Sequence, residues 1–433
     1  LISDGKCGIK QQVTTMVISK CNAGTEFTCN TGCCIDFSKR CDEEIDCYDG
    51  SDEHLCSLVS MPVSYKKDNP PKPRLPGNSL KIRTHVTIKN IDTIDTVNMV
   101  VGLTIKIYMT WYDDRLNFRN PSMTHQNIVS TKKGRQLWLP LDNLIHENAI
   151  LGTVKYGNEK KIRLHLGLPE GADFASRNEN RIFDGSNSSL EVSQRLKIKY
   201  TCIFNVKSFP FDRTECHFIM SIRQPTNSML QFSKGRHDDG HDGQDIKYKG
   251  SSIVGQFLIG SIHSSINNTE DKTQYIFVIP MIRMFTNQLL ITFIPSFLLW
   301  LFGYSTLFID IKDSSDRFMG AGTALLVMAT LFGVINNDLP RTAYLKYIDV
   351  WFVWHILNVF AVIVVHIILG RMRKHLENLD DTYVQSLQAM NDASGIDVTD
   401  GAGAITTINH AVIMVFPLLN GIFYGIYFYL TLN

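Results

Sequence analysis

Cysteine is missing from the second half of this 433-residue chain: all ten stand at or before position 216. Charge is missing from four long runs, 284–309, 318–337, 350–370 and 401–433, which hold no Asp, Glu, Lys or Arg. Net charge is nearly absent too, at +1, which argues against a nucleic-acid binder working by broad attraction to phosphate. No Gly-X-Ser-X-Gly or His-Glu-X-X-His motif occurs. Ser, Cys and His show no nucleophile–base arrangement either, so the chain does not read as an enzyme. No leader segment is visible and the first residue is Leu1, so a processed product is expected.

Each uncharged run approaches or exceeds the about 20 residues needed to span a bilayer core. One such run fits a buried soluble helix. Four in series, after a mostly polar stretch that ends at Arg283, read as a membrane protein with a large soluble N-terminal portion. Cysteines confined to that portion predict disulfides in an oxidising compartment. The expectation is a multi-pass plasma-membrane protein with both termini extracellular. Arg371, Arg373 and Lys374 after the third run fit a cytoplasmic loop, although Arg341 and Lys346 on the opposite side weaken the bias. The cytoplasmic segment is taken as 371–404, a helix over RMRKHLENLDDTYVQSLQAM followed by a flexible DGAGA stretch.

Between Cys21 and Cys56 seven cysteines stand among few apolar residues, so covalent and metal staples must replace a core. Asp42, Asp46, Asp52 and Glu53 crowd together, and hard oxygen ligands at that density suit Ca²⁺. The segment CNAGTEFTCNTGCCIDFSKRCDEEIDCYDGSDEHLC resembles an LDL-receptor class A module along its whole length. The resemblance implies the pairs Cys21–Cys34, Cys29–Cys47 and Cys41–Cys56. It also implies a structural Ca²⁺ held by Asp42, Asp46, Asp52 and Glu53 and by the backbone carbonyls of Lys39 and Glu44. The family usually carries Trp where Lys39 stands. Cys7 and Cys33 are left over, and a Cys7–Cys33 bridge is the economical guess. The module is bounded as 1–57. Residues 58–78, with five prolines in MPVSYKKDNPPKPRLPGN, read as a semi-rigid extended linker.

From Ser79 onward apolar and polar residues alternate, with β-branched enrichment, in LKIRTHVTIKNI, VVGLTIKIYMTW, LEVSQRLKIKYTCIF, CHFIMSI and YIFVIPM. These runs predict half-buried strands and a β-sandwich over 79–284. Sequons at Asn187 and Asn267 are placed in polar connections, open to glycans. In CIFNVKSFPFDRTEC, Cys202 and Cys216 bracket thirteen residues just ahead of the first uncharged run. Its apolar tip of Phe209, Pro210 and Phe211 is suited to press on the membrane domain while Asp212 pairs with Arg283, the last charge before that run.

Together these features resemble a Cys-loop receptor, a pentameric ligand-gated ion channel. The residues that carry the resemblance are this loop, WYDDRL at 111–116, LWLP at 137–140, Arg283, Pro295 in the first span and Leu339-Pro340 closing the second. The resemblance implies a multidomain membrane protein: a disulfide- and calcium-stapled module, an extracellular β-sandwich ligand-binding domain and a four-helix transmembrane bundle over 285–433. It implies a Cys202–Cys216 bridge and a coupling role, between sensor and pore, for Phe209, Pro210, Phe211, Asp212, Arg283, Asp95 and Pro340.

In DRFMGAGTALLVMATLFGVINNDLP, steps of three and four align Asp316, Met319, Thr323, Leu326, Thr330, Gly333 and Asn337 on the least apolar helical face. Such a stripe faces either a neighbouring span or a water-filled centre shared by subunits. The resemblance favours the pore. Asp316, with Asp313 one turn earlier, then forms the cytoplasmic selectivity ring, and Leu326 the apolar gate. Anion-conducting relatives typically carry Pro-Ala ahead of the arginine that Arg317 matches. Here Ser315 and Asp316 stand there, so cation selectivity is expected. Met319 departs from the small or hydroxylated residues of the family and predicts a narrower pore.

Family agonists bind between subunits, in a box of aromatic side chains that holds amines. Counting from the fixed motifs puts Lys106, Ile145 and Arg223 at box positions, and 262–274 holds neither an aromatic residue nor a vicinal cysteine pair. An acetylcholine- or serotonin-like agonist is disfavoured. Two readings stay open: a cationic pocket for an anionic or carboxylate-bearing ligand, or a degenerate site. GRHDDGHDGQD at 235–245 reads as a Zn²⁺ or Ca²⁺ loop through His237, Asp238, Asp239, His241 and Asp242 or, better, as a solvated loop. The function expected is a homopentameric, cation-selective channel gated from its extracellular domain. Four further identical subunits and the lipid bilayer are its partners, with no nucleic acid. The alternative is a non-conducting or obligate-heteromeric subunit that captures a partner through its module.

Overall fold

The computed structural model describes residues 18–22, 25–54, 56–73, 78–119, 127–158, 160–167, 182–224, 230–235, 245–389 and 399–432, with side chains described outside 379–402 and 432. Six long strands organise the body: β1 (Leu80–Asp95), β2 (Val100–Tyr112), β3 (Ser189–Thr201), β4 (Arg213–Arg223), β5 (His263–Asn268) and β6 (Lys272–Arg283). Period-two alternation sorts their side chains. On β3, Leu196, Ile198 and Tyr200 are buried while Arg195, Lys197 and Lys199 take the opposite face. β1, β2 and β3 form the antiparallel centre of an eight-stranded sheet, extended by Leu230–Lys234 parallel to β1 and by Lys161–His165 on β3. β4 and β6 pair along their full length in a six-stranded sheet, with β5 on the far side of β6. Apolar faces of both sheets share one core containing Trp111, Tyr200, Phe218 and Phe277. Phe218 and Phe277 are cross-strand partners and stack at 4.9 Å.

The segment after the module departs from the extended linker expected over 58–78. Val59–Ser60 adds a strand to Asn117–Arg119 and Ile182–Asp184. The Tyr65 hydroxyl donates to Asp113 (3.1 Å) and accepts from the Trp138 amide (2.9 Å). Arg115 lies 4.4 Å over the Tyr65 ring and donates to the Lys66 and Asn69 carbonyls. Prolines stiffen the backbone, but Tyr65 supplies an anchor that docks it on the WYDDRL and LWLP motifs. Burial, helped by the Asp113 charge, pushes the Tyr65 hydroxyl up to about 12, so it remains a donor throughout the physiological range.

Four helices follow: α1 (Thr286–Phe308), α2 (Ser314–Asn337), α3 (Tyr347–Ala389) and α4 (Thr399–Leu432). All four are long and apolar enough to cross a membrane, and the chain is a multi-pass membrane protein. α1 widens to a π turn over Leu289–Phe293, just ahead of Pro295, where the ring removes the N–H that a regular turn needs. A Cβ on Gly303 would meet Val359 of α3 and Ala324 of α2 at 3.2–3.5 Å, so a small residue lets three helices close up there. α4 already includes Asp400–Ala404. The DGAGA stretch expected to be flexible is therefore helical, carried by propagation from the apolar span.

Candidate functional site

The loop closed by Cys202–Cys216 hangs at the foot of the sandwich because β3 ends at Thr201 and β4 begins at Arg213. One buried ion pair organises it. Arg283, the last residue of β6, donates from Nε to Asp212 Oδ1 (2.7 Å) and from Nη2 to Oδ2 (3.1 Å), with both side chains 1% exposed. The guanidinium also lies 4.9 Å from the Phe209 ring centroid and 4.5 Å from that of Phe257. Two-pronged geometry with aromatic lids offsets the desolvation of both charges.

Phe209 and Pro210 are buried, and Phe209 serves as a wall of this pair rather than as part of a membrane-facing tip. Phe211 alone reaches the helices, its ring 5.2 Å from Phe285 at the head of α1. The loop also grips α3 directly, since the Tyr347 amide donates to the Lys207 carbonyl at 2.9 Å. No side-chain type announces a backbone bond, so sequence reasoning missed it. Asp95 spends its carboxylate on its own turn, accepting from Asn98 N (2.9 Å) and Nδ2 (2.8 Å). That turn meets the loop through Met99, whose carbonyl accepts from Cys202 N at 2.8 Å. Pro340 is buried in the α2–α3 link.

α2 buries one narrow face and leaves the rest uncovered, Phe318, Val327 and Val334 as well as the stripe. Arg317, Ala321, Ala324, Met328 and Ile335 are buried. Asp316, Met319, Thr323, Leu326, Thr330, Gly333 and Asn337 are all exposed. Met319 is 64% and Leu326 66% exposed, so the chain's own helices leave this face uncovered. At the N-terminal end Asp313 stands at the N-cap position, without a side-chain capping bond, and Asp316 lies in the first turn, where the helix dipole favours carboxylates.

Lys106 stands on β2 opposite Arg195 of β3 in the eight-stranded sheet. Ile145 pairs with Ser221 in the other sheet, where Arg223 closes β4. Lys106 and the Ile145–Arg223 group therefore stand on different sheets of the sandwich. Lys106 sits in a basic field. Burial first, then the charges of Lys249, Lys106 and Arg195, hold the Lys89 ammonium below its usual range. The Lys106 ammonium lies 4.7 Å from the Tyr108 ring, whose other neighbour is the His85 ring at 4.2 Å. Further along, a cavity of about 530 Å³ gathers Arg83, His165 and Lys234 around buried Glu191. Strand pairing assembles Lys89, Arg195 and Lys249, and linear spacing gives no sign of it. Asn187 is exposed in the turn before β3, whereas Asn267 is exposed within β5 and not in a connection. His237, Asp238, Asp239, His241 and Asp242 lie outside the described residues.

The model of the neurotransmitter-gated ion-channel ligand binding domain matches residues 52–284, more than half of the chain. The chain belongs to the Cys-loop family of neurotransmitter-gated ion channels. Its relatives include the probable ligand-gated ion channel 46 of Caenorhabditis elegans, 25% identical over 68% of this chain and 54% of that protein. The gamma-aminobutyric acid receptor subunit beta of C. elegans is 23% identical over 67% and 49%. The glutamate-gated chloride channel of Drosophila melanogaster is 26% identical over 62% and 54%. The Cys-loop chain spans about half the length of these curated relatives, which are named as channels or receptor subunits and not as enzymes.

A low-density lipoprotein receptor domain class A model matches residues 19–56 of this Cys-loop chain. Disulfides Cys21–Cys34, Cys29–Cys47 and Cys41–Cys56 staple the module. Cys33 is exposed, and Cys7 lies outside the described residues. Carboxylate oxygens of Asp42, Glu44 and Asp46 lie within 4.8 Å of one another, so Glu44 brings its side chain to the cluster. Asp52 is fully buried, and its Oδ2 accepts from the Asp46 (2.6 Å) and Cys47 (3.1 Å) amides. Asp52 Oδ1 and Asp46 Oδ2 are buried without a hydrogen-bond donor. A bound Ca²⁺ satisfies such oxygens, and in that respect the residues fit it. The Lys39 ammonium competes, standing 2.6 Å from Asp46 Oδ1. The hydrogen bond to Asp46 and the charges of Asp46, Asp42 and Glu44 raise its pKa. Lys39→Ala should therefore tighten Ca²⁺ binding to the full chain about five- to tenfold in calorimetric titration, the worth of one nearby charge. An unchanged affinity would mean that the ammonium yields its place freely.

Proposed function

We propose that the chain is one subunit of a pentameric, cation-selective channel opened by an extracellular ligand, with four further copies of itself completing the ring. The observation that carries this reading is α2, whose buried face packs on its own bundle while Asp316, Met319, Thr323, Leu326, Thr330, Gly333 and Asn337 stay uncovered. Five such helices around one axis give that stripe a water-filled centre. Asp316, reinforced by Asp313, then rings the cytoplasmic mouth with negative charge, while the adjacent cation, Arg317, is 2% exposed and faces away. Ion replacement tests the reading. Diluting external sodium should move the reversal potential of the current to negative values, while replacing chloride should leave it in place. The opposite pattern would establish chloride conduction, a second reading favoured by the basic outer face of the eight-stranded sheet and by the relative named as a chloride channel.

Charge also defines the ligand. Lys89, Lys106, Arg195 and Lys249 on one sheet face, and Arg223 on the other sheet, make a basic boundary between copies suited to an anionic or carboxylate-bearing agonist. Two relatives are named for gamma-aminobutyric acid and glutamate, both carboxylates. Arg223→Ala should raise the half-maximal concentration of such an agonist about tenfold or more, the worth of a charge-assisted hydrogen bond. Unchanged dose–response curves to both compounds would remove the assignment.

Coupling runs through the junction. Agonist binding shifts β6, Arg283 carries the shift to Asp212, and the loop of Phe209, Pro210 and Phe211 passes it to α1 through Phe285 and to α3 through Lys207. Asp95 and Pro340 border the same junction from the β1–β2 turn and the α2–α3 link. The module holds its Ca²⁺ through Asp42, Asp46, Asp52 and Glu53, with the backbone carbonyls of Lys39 and Glu44 contributing. Its disulfides suit an oxidising compartment, which supports a reading with the N-terminal body outside the plasma membrane and the C-terminal end returned to that side by four spans.

A further inference from the structure

We infer that Asn409 of α4 is a positioning residue for ion selectivity: it clamps Arg317 of α2 in a socket behind the pore face and keeps that charge out of the Asp316 ring. The inference rests on the cation-selective reading and names a residue that maintains it. Arg317 directly follows Asp316, so the helix turns its side chain about 100° away from the mouth. Its bonds are to neutral oxygens. Nε donates to the Thr306 carbonyl (3.1 Å), and Nη2 donates to the Leu307 carbonyl (3.0 Å) and to Asn409 Oδ1 (2.7 Å). Among the described residues no carboxylate makes an ion pair with it.

A guanidinium that is 2% exposed, with Asp310 acting on it only from beyond ion-pair distance, needs another source of negative potential. The end of α1 supplies it. Thr306 and Leu307 form the closing turn of that helix, where the dipole is negative and the Thr306 carbonyl takes only a long 3.4 Å backbone bond from Ile309 N. Asn409 locks the arrangement from the opposite side. While its Oδ1 accepts from Arg317, its Nδ2 donates to the same Leu307 carbonyl at 3.2 Å. The Thr306 hydroxyl pairs with His366 Nε2 of α3 at 2.8 Å. The arginine on α2 is thus held by α1 and α4, and α3 ties down the Thr306 side of the socket.

Without the Asn409 amide, Arg317 loses its side-chain acceptor and gains free space beside it, and water at the mouth becomes the better solvent. In five copies the freed guanidinium groups face five Asp316 carboxylates and neutralise the ring that enriches cations.

Two readouts test this. Phenylglyoxal is applied to the cytoplasmic side of membranes holding the full chain, and Arg317 modification is scored by mass spectrometry, with exposed Arg371 as internal control. Wild type should be protected, Asn409→Ala should be modified severalfold faster, and Asn409→Asp, which keeps the acceptor, should be protected again. Asn409→Leu, close in volume, serves as the second disruptive variant. In channels opened by Leu326→Thr, Asn409→Ala should lower the sodium-to-chloride permeability ratio roughly tenfold, and Asn409→Asp should restore it. Equal modification of Arg317 in wild type and Asn409→Ala overturns the socket. Modification without a change in ratio overturns its link to selectivity. A parent channel that already prefers chloride sinks the cation reading instead, and the labelling still judges the socket.

Discussion

Arg283→Gln is expected to abolish agonist-evoked current and to lower the amount of chain at the cell surface. The substitution leaves the Asp212 carboxylate buried at 1% exposure with its two-pronged donor gone. Breaking a buried pair from one side costs about 3–5 kcal/mol, a large share of the about 5–15 kcal/mol that holds a domain folded. Folding and coupling can be separated by the double variant Asp212→Asn plus Arg283→Gln, which removes both charges and leaves complementary amides. Surface biotinylation should then recover most of its wild-type level, because no buried charge is stranded. If current stays absent at recovered surface density, the charge pair transmits the signal from β6. If current recovers too, the pair only folds the junction. A single Arg283→Gln variant with normal density and normal responses would leave the pair no role in either.

What the sequence reveals and what it hides divide along physical lines. Cysteine spacing, β alternation and uncharged runs are local signals, so the module, the sandwich and the four spans are legible from neighbouring residues. The stripe on α2 is legible because helical period alone sets it. Contacts made by register across strands are not: Lys89, Arg195 and Lys249 around Lys106 come together only once β1, β2 and β3 are paired. Nor are contacts made by backbone groups, such as Tyr347 N to Lys207 O. Phe209 read as a tip because it is apolar and next to proline, but its ring covers the Arg283 guanidinium. Composition misled over 58–73, where four prolines outweigh a single tyrosine. Arg317 was legible as a charge beside the pore, whereas its burial against the end of α1 depends on Asn409, some ninety positions away.

Leu326→Thr is expected to produce a steady current without any agonist. Leu326 is 66% exposed on the chain by itself, beside Val327 at 42% and Val334 at 60%, so its own bundle leaves it uncovered midway along the span. In the proposed pentamer, five leucines at one level would form an apolar constriction that water vacates, and a dry constriction stops ions. Threonine is smaller than leucine, which widens the ring, and it adds a hydroxyl that water can bond. Each substitution removes roughly 1–2 kcal/mol of apolar preference, and the ring repeats the change five times, so the wet state gains several orders of magnitude. Met319, 64% exposed on the same face and nearer the cytoplasmic mouth, stays as a second narrow point and should keep the unitary current small. Resting current carried by sodium would place Leu326 at the gate of a homomeric cation channel. Current carried by chloride would keep the gate and overturn the selectivity assigned to Asp316. Surface expression with no current in this variant would mean that five copies of this chain do not make a pore unaided, and that a different subunit completes it.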